Sequence, residues 1–275
     1  MKIVCNICPH HCSIEEGKLG FCQARTNIDG EIICESYGKL TSIALDPIEK
    51  KPLNHFYAGS LILSVGSYGC NLRCLHCQNS GISMINGERA NTEIVLPEKL
   101  VELAENLKSR GNIGIAYTYN EPLISYEYVR DCAKLARQNG LKNVVVTNGY
   151  ICEEPLLELL PLIDAMNIDL KAFTNEFYQK MRGDLETVKT TISNAAKQCH
   201  IEVTTLIIPD ENDSEREMEQ LSTWLASIDP NIPLHISRFF PSWRMTHKSP
   251  TPVEKIHKLA DVARANLKYV YKGNI

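Results

Sequence analysis

From Leu61 onward, short apolar runs alternate with longer amphipathic stretches. Leu61 to Val65, Ile113 to Tyr117, Asn143 to Val146, Ala165 to Leu170, Ile201 to Ile208 and Leu234 to Ser237 each predict a short strand. The intervening stretches predict helices over Leu96 to Arg110, Leu123 to Gln138, Glu153 to Leu160, Leu185 to Gln198, Ser214 to Ser227 and Val253 to Leu267. Pro97 suits a first helical turn, Gly111 and Asn139-Gly140 suit helix ends, and Ser214 with Glu217 reads as a capping pair. Six apolar strands alternating with helices imply an α/β fold with a parallel sheet covered by helices. The pattern fits a doubly wound sheet or a barrel.

The strand ends share one character. Tyr117-Thr118-Tyr119-Asn120-Glu121-Pro122 follows the second strand, and Thr147-Asn148-Gly149-Tyr150 the third. Asp169-Leu170-Lys171 closes the fourth, and Ile208 to Asp213 the fifth. The sixth carries His235 and Arg238. Each cluster alone is an ordinary turn or helix start. With the loop Cys70 to Cys77 after the first strand they make six in succession at strand C-termini, which fit one shared site better than six independent loops. His235 and Arg238 are three residues apart, so a regular strand sends them to opposite faces unless the chain bends at Arg238.

Before Leu61 the pattern is looser. Asn27-Ile28-Asp29-Gly30 reads as a turn between two β-prone runs, and Ala44 to Leu53, with two prolines and mixed charge, reads as a surface linker near the site. The expected organisation is a cysteine-rich metal-binding extension and linker over 1–58 and a main domain over 59–275.

The 275 residues are 44% hydrophobic, ample for a core, and the formal net charge of -4 gives no electrostatic reason to expect nucleic acid. No apolar run is long enough to span a membrane, and no secretory leader is evident, so the expected location is cytoplasmic. Eleven cysteines in that setting read as metal ligands plus buried thiols, not a disulfide scaffold. Cys34, Cys132, Cys152 and Cys199 stand apart and read as small core hydrophobes.

The other seven form two spaced groups. Cys5, Cys8, Cys12 and Cys22 stand at C-x2-C-x3-C-x9-C, a four-thiolate set for zinc or for a fully ligated iron–sulfur cluster. His10 and His11 read as solvated or supporting residues. Cys70, Cys74 and Cys77 stand at C-x3-C-x2-C, directly after the first strand of the repeat. Three thiolates fall short of a tetrahedral zinc site, yet they hold three corners of a cubane cluster and leave one iron open. A zinc knuckle or three incidental thiols are the bland alternatives.

The stretch Gly69-Cys70-Asn71-Leu72-Arg73-Cys74-Leu75-His76-Cys77 resembles the signature of the radical S-adenosylmethionine (SAM) superfamily, with His76 at the aromatic position before the third cysteine. The resemblance implies a partial (β/α)6 barrel of the radical SAM type with a small N-terminal extension. It also implies a [4Fe–4S] cluster on Cys70, Cys74 and Cys77 that chelates SAM and cleaves it reductively. The resulting 5′-deoxyadenosyl radical abstracts hydrogen from a substrate. Tyr119-Asn120-Glu121-Pro122 stands where relatives carry a glycine-rich segment receiving the SAM amino group. Without those glycines, the Asn120 or Glu121 side chain is expected to take a larger share. Thr147, Asn148, Asp169 and Lys171 match segments that surround SAM and a monovalent cation in activases of glycyl-radical enzymes. His76, His235 and Arg238 complete the expected cofactor-binding set.

Longer matches resemble one branch near the pyruvate formate-lyase activating enzymes, the radical SAM protein of the AmmeMemoRadiSam system. They include Cys5 to Cys12, Asp46 to Leu53, Tyr117 to Pro122, His235 to Phe239, Thr251 to Glu254 and Tyr269 to Asn274. Relatives often continue further, so the C-terminus is expected to be short. This resemblance implies an electron donor such as flavodoxin or ferredoxin, a candidate protein substrate, and Memo-type and AMMECR-type partners. The expected function is therefore an activase-like radical oxidoreductase. A radical enzyme acting on a small molecule, or a non-catalytic iron–sulfur protein that binds SAM, are the alternatives.

Overall fold

A computed structural model describes all 275 residues. The first forty residues form short antiparallel pairs. Strand β1 (Lys2–Val4) pairs with β2 (Ser13–Glu15), and β3 (Arg25–Ile28) with β4 (Glu31–Cys34). Asp29 and Gly30 both adopt positive φ in the β3–β4 turn, as a two-residue hairpin of primed type requires. A two-residue strand, β5 (Lys39–Leu40), follows.

The main sheet begins with β6 (Ser42–Pro47) and β7 (Leu61–Gly66). After β7 come helix α1 (Ser80–Ser83) and strand β8 (Glu93–Ile94), which pairs with β5. Strand and helix units then alternate: α2 (Pro97–Asn106), β9 (Asn112–Tyr117), α3 (Tyr126–Gln138), β10 (Lys142–Thr147), α4 (Glu153–Leu159) and β11 (Ala165–Asp169). They continue with α5 (Asn175–Lys180), α6 (Leu185–Ala195), β12 (His200–Ile207), α7 (Glu215–Ile228), β13 (Leu234–Arg238), α8 (Val253–Arg264) and β14 (Val270–Gly273). The sheet runs β14-β13-β12-β11-β10-β9-β7-β6, all parallel except β6, which is antiparallel to β7.

All six expected strands are present as neighbours. Two further strands extend the sheet. The terminal stretch supplies β14 beside β13, and part of the expected linker supplies β6. Mixed charge and Pro47 disguised β6, but Ser42↔Gly66 through Pro47↔Leu61 form an unbroken antiparallel ladder. A boundary at residue 58 would cut this pairing, so the chain from Ser42 onward is part of the barrel.

The remainder of that linker is packed rather than loose. Ile48, Leu53 and Phe56 bury themselves against Ile62, Ala116, Val144 and Ala165 in one apolar cluster. These residues close the N-terminal end of the barrel, and full burial of a side chain such as Leu53 stabilises it by roughly 2 kcal/mol. The larger core lies between the sheet and the helices. Helix α3 shows the logic: Tyr126, Val129, Cys132, Ala133 and Ala136 recur at helical spacing and are buried. Ser214 caps α7 by accepting from the Glu217 amide. The Glu217 carboxylate does not reach back to it, and accepts instead from the Phe173 amide at 2.6 Å.

Candidate active site

The loop after β7 carries Cys70, Cys74 and Cys77, and its path is dictated by the N-terminal extension. Gly69 has φ +82°, and a Cβ there would lie 2.4 Å from the Cys22 carbonyl oxygen, so only glycine fits. The Cys70 amide donates to that same carbonyl at 3.1 Å. Arg73 donates to the carbonyls of Cys70 (2.6 Å), Leu72 (2.9 Å) and Phe21, and its guanidinium stacks 4.0 Å from the Phe21 ring. His10 bonds the Asn71 carbonyl at 2.7 Å. The loop is thus held on both sides by the extension.

Across from it, the strand ends are cross-braced. Asn120 accepts from the Ser67 amide and donates to the carbonyls of Tyr68 and Gly69. Glu121 accepts from the Thr147 hydroxyl (2.7 Å), the Asn148 amide (2.8 Å) and the Leu123 amide (3.0 Å). The Asn120 and Glu121 side chains, expected to take a share of ligand binding, are both engaged in holding loops at the cavity wall. Burial pushes the Glu121 carboxyl up to about 7, even though the Asn148, Thr147 and Leu123 hydrogen bonds oppose it. The Asn148 amide group donates to Asn71 Oδ1 (2.9 Å) and approaches Cys70 Sγ at 3.6 Å.

A cavity of about 360 Å³ opens over these groups. Cys70, Cys74, Cys77, His76, Tyr119, Asn120, Glu121, Thr147, Asn148, Asp169 and Lys171 all line it. Asp169 and Lys171 pair at 2.8 Å. Burial would lower the Lys171 pKa, but Asp169 and the nearby Cys74 outweigh it and raise it. Burial, reinforced by Lys171, pushes the His76 imidazole down to about 3, so it is neutral. Burial raises Cys70 and lifts Cys74 to about 11. Three thiols at one cavity, with a side-chain amide beside one sulfur, fit an iron–sulfur cluster.

His235 and Arg238 lie elsewhere, which corrects their expected placement. His235 Nε2 meets the Glu202 carboxylate at 2.6 Å near the opposite end of the barrel, where its ring stacks on Tyr271. Arg238 donates to the Thr251 carbonyl and lies over the Phe240 ring. The Ile208 to Asp213 cluster also misses the cavity, because Asn212 is occupied with the carbonyls of Lys171 and Leu206. The fifth and sixth strands contribute Thr204, Leu206 and Ser237 instead. Period-two alternation along each strand was the signal that could have found them. Asn274 also lines it, as does the Lys50-Lys51 pair on the segment expected near the site. A larger groove of about 650 Å³ near Lys142, Asp164 and His200 holds none of the expected site residues.

Cys5, Cys8, Cys12 and Cys22 line one small void of about 10 Å³ together with Ile7, Ile14, Gly20, Arg25 and Ile124. The Phe21 amide donates to Cys12 Sγ at 3.4 Å. Burial lifts the Cys8 thiol to about 12 and the Cys22 thiol to about 11. Of the remaining cysteines, Cys34 and Cys132 are buried as expected and Cys199 is half-buried. Cys152 departs from the core reading: it borders the extension, with its amide on the Ile7 carbonyl and its sulfur 4.0 Å from His11 Nε2.

A helix-wrapped parallel barrel with a three-thiol loop at the C-terminal end of its first parallel strand defines a cluster-binding class of α/β protein. Residues 64–221 match the family model of the Radical SAM superfamily, and the chain belongs to that superfamily. An uncharacterized protein of Methanocaldococcus jannaschii is 44% identical over 278 residues, covering 100% of this chain and 82% of the relative. Pyruvate formate-lyase 1-activating enzyme of Escherichia coli strain K12 is 24% identical over 168 residues, covering 58% of this chain and 68% of the relative. Among solved structures, a radical SAM methyltransferase from Sphaerobacter thermophilus aligns with TM-score 0.59 at 15% identity, covering 79% of this chain and 67% of that one. Streptococcus suis SuiB bound to precursor peptide SuiA aligns with TM-score 0.58 at 12% identity, covering 82% and 51%. At such identities the structural likeness concerns the fold. Family membership makes the chain a radical SAM enzyme, for which a [4Fe–4S] cluster and SAM are the implied cofactors. No helix is long and apolar enough to cross a membrane.

Proposed function

We propose that the chain abstracts hydrogen from a small molecule held inside the barrel, using the cavity over Cys70, Cys74 and Cys77. One observation carries this reading: the three thiols, the Asp169–Lys171 pair and the braced Tyr119 to Glu121 turn line a single cavity of about 360 Å³, a volume suited to small molecules. The bound cluster and SAM supply one-electron reduction and a carbon-centred radical. The protein's own residues do the rest. Cys70, Cys74 and Cys77 hold the cluster, and Asn148 hydrogen-bonds a ligand sulfur. Lys171, oriented by Asp169, receives the SAM carboxylate. Tyr119 and Thr147 shape the wall, and His76, held neutral, adds no charge beside the cluster. An electron donor of flavodoxin or ferredoxin type delivers the electron. Cys5, Cys8, Cys12 and Cys22 hold a second metal, zinc or an iron–sulfur cluster, which fixes the extension against the loop.

A second reading, an activase acting on a partner protein, is favoured by the homology to pyruvate formate-lyase activating enzymes. Membership in the AmmeMemoRadiSam branch, with Memo-type and AMMECR-type partners, belongs to this reading. Formation of 5′-deoxyadenosine by anaerobically reconstituted protein with SAM and dithionite tests both. Stimulation by the small-molecule fraction of the source cells supports the first reading, and stimulation by the protein fraction alone supports the second. No product with a full iron complement overturns the enzymatic reading.

A further inference from the structure

One wall of the cavity comes from chain outside the matched family residues 64–221. Lys51 enters from the closed end of the barrel, between Ile48 and Leu53, and its side chain is only 3% exposed. Its ammonium donates to Asp46 Oδ2 at 2.8 Å and lies 4.7 Å from the centroid of the Tyr119 ring. Asp46 also accepts from the Tyr119 hydroxyl at 2.7 Å. Lys51, Lys50 and Tyr119 line the cavity, whereas Asp46 does not. The pair is therefore oriented with its anion behind and its cation forward. An ammonium carries three N–H donors, and Asp46 is the one acceptor that Lys51 bonds. A nearly buried cation with unfilled donors at a cavity wall is stabilised by an acceptor arriving from the cavity. No carboxylate of the lining fills that role, because Asp169 pairs with Lys171 and Glu121 is enclosed by Thr147, Asn148 and Leu123. Lys171 follows β11, four places along the sheet from β6, the strand that precedes Lys51, so the two lysines reach the cavity from different parts of the sheet.

We propose that Lys51, assisted by Lys50, binds an anionic group of the substrate, a carboxylate or a phosphate, at the cavity wall beside the Tyr119 ring. This rests on the small-molecule reading above. Asp46 and Tyr119 are positioning residues: Asp46 holds the ammonium at 2.8 Å, and Tyr119 holds Asp46 at 2.7 Å while its ring flanks the ammonium.

The test uses the anaerobically reconstituted holoenzyme and the low-molecular-weight fraction of the source cells, split on an anion exchanger. 5′-Deoxyadenosine is measured relative to each variant's own rate without additions. The retained pool is expected to stimulate the wild type, with the stimulation falling about tenfold or more in Lys51→Met and partly returning in Lys51→Arg. Phosphatase treatment of the retained pool separates the sources: stimulation lost means a phosphate, stimulation kept means a carboxylate. Lys51→Met leaves Asp46 without its partner, so the double variant Lys51→Met/Asp46→Asn is run beside it, with iron content and thermal melting as controls of folding. Stimulation by the unretained pool or the protein fraction only, undiminished stimulation of either methionine variant, or background cleavage with no stimulation from any pool overturns the inference. A wild type that makes no 5′-deoxyadenosine at all overturns the underlying reading with it.

Discussion

The amide of Cys70 donates to the carbonyl of Cys22 across 3.1 Å, joining the two cysteine groups through the backbone. The extension is therefore structural support for the cluster loop, and damage to one group reaches the other.

Gly69→Ala tests that junction. The added methyl would meet the Cys22 carbonyl oxygen at 2.4 Å in a left-handed backbone. The expected cost is at least ~2 kcal/mol, and the displaced loop should bind less iron. Thermal melting and iron analysis of the reconstituted variant check both.

Cys74→Ala removes one of three cysteines at the cavity while deleting a single buried sulfur from a large core. Formation of 5′-deoxyadenosine should vanish while the circular dichroism spectrum stays that of a folded α/β protein. Cleavage at the normal rate would show that the cluster is held elsewhere.

Asp169→Ala leaves Lys171 without its carboxylate partner at 2.8 Å. The SAM concentration giving half-maximal turnover should rise several-fold, about 1 kcal/mol or more of lost orientation. An unchanged SAM dependence with a lower melting temperature would assign the pair a purely structural role.

Glu202 gives a pH signature remote from the cavity. Burial alone would raise its carboxyl, but hydrogen bonds from His200, His235 and the amides of Asn54 and His55 prevail and hold it at about 2. A carboxyl depressed on folding contributes stability that is present above its ordinary pKa and lost as pH falls through the folded value. The contribution should be roughly 3 kcal/mol at neutral pH, disappearing between about pH 5 and 2. Urea unfolding across that range should show a flatter acid limb for Glu202→Gln than for the wild type.

Much of this arrangement was legible in the sequence, and the reason differs by element. The six strands announced themselves because parallel strands buried on both faces are short apolar runs, as in Asn143 to Val146. The three-cysteine loop, the Asp169–Lys171 pair and the Thr147-Asn148 turn were found because polar residues at strand ends stand out against such runs. The Ser42–Pro47 strand was hidden because an edge strand pairs on one side and tolerates Asp46 and Pro47. His235 was misplaced because a histidine near a strand's beginning and one near its end look alike without the partner, here Glu202. The bracing role of Glu121 was not legible because nothing local shows that its carboxylate receives three donors from Leu123, Thr147 and Asn148. Lys51 was passed over as linker charge, since the packing that carries it inward depends on Ile48 and Leu53 meeting strands distant in sequence.

The closure of the barrel by Ile48, Leu53 and Phe56 places two tasks on different parts of one chain. The residues proposed to serve the cluster and SAM lie on the loops after the barrel strands, while Lys50 and Lys51 reach the cavity on a segment of about ten residues that precedes them. With Lys51 in the proposed substrate-binding role, exchange of that segment between relatives would redraw which molecules are accepted without altering the cysteine loop. Selectivity and chemistry can then drift at different rates, and a library confined to residues 48–56 becomes the economical way to redirect such an enzyme.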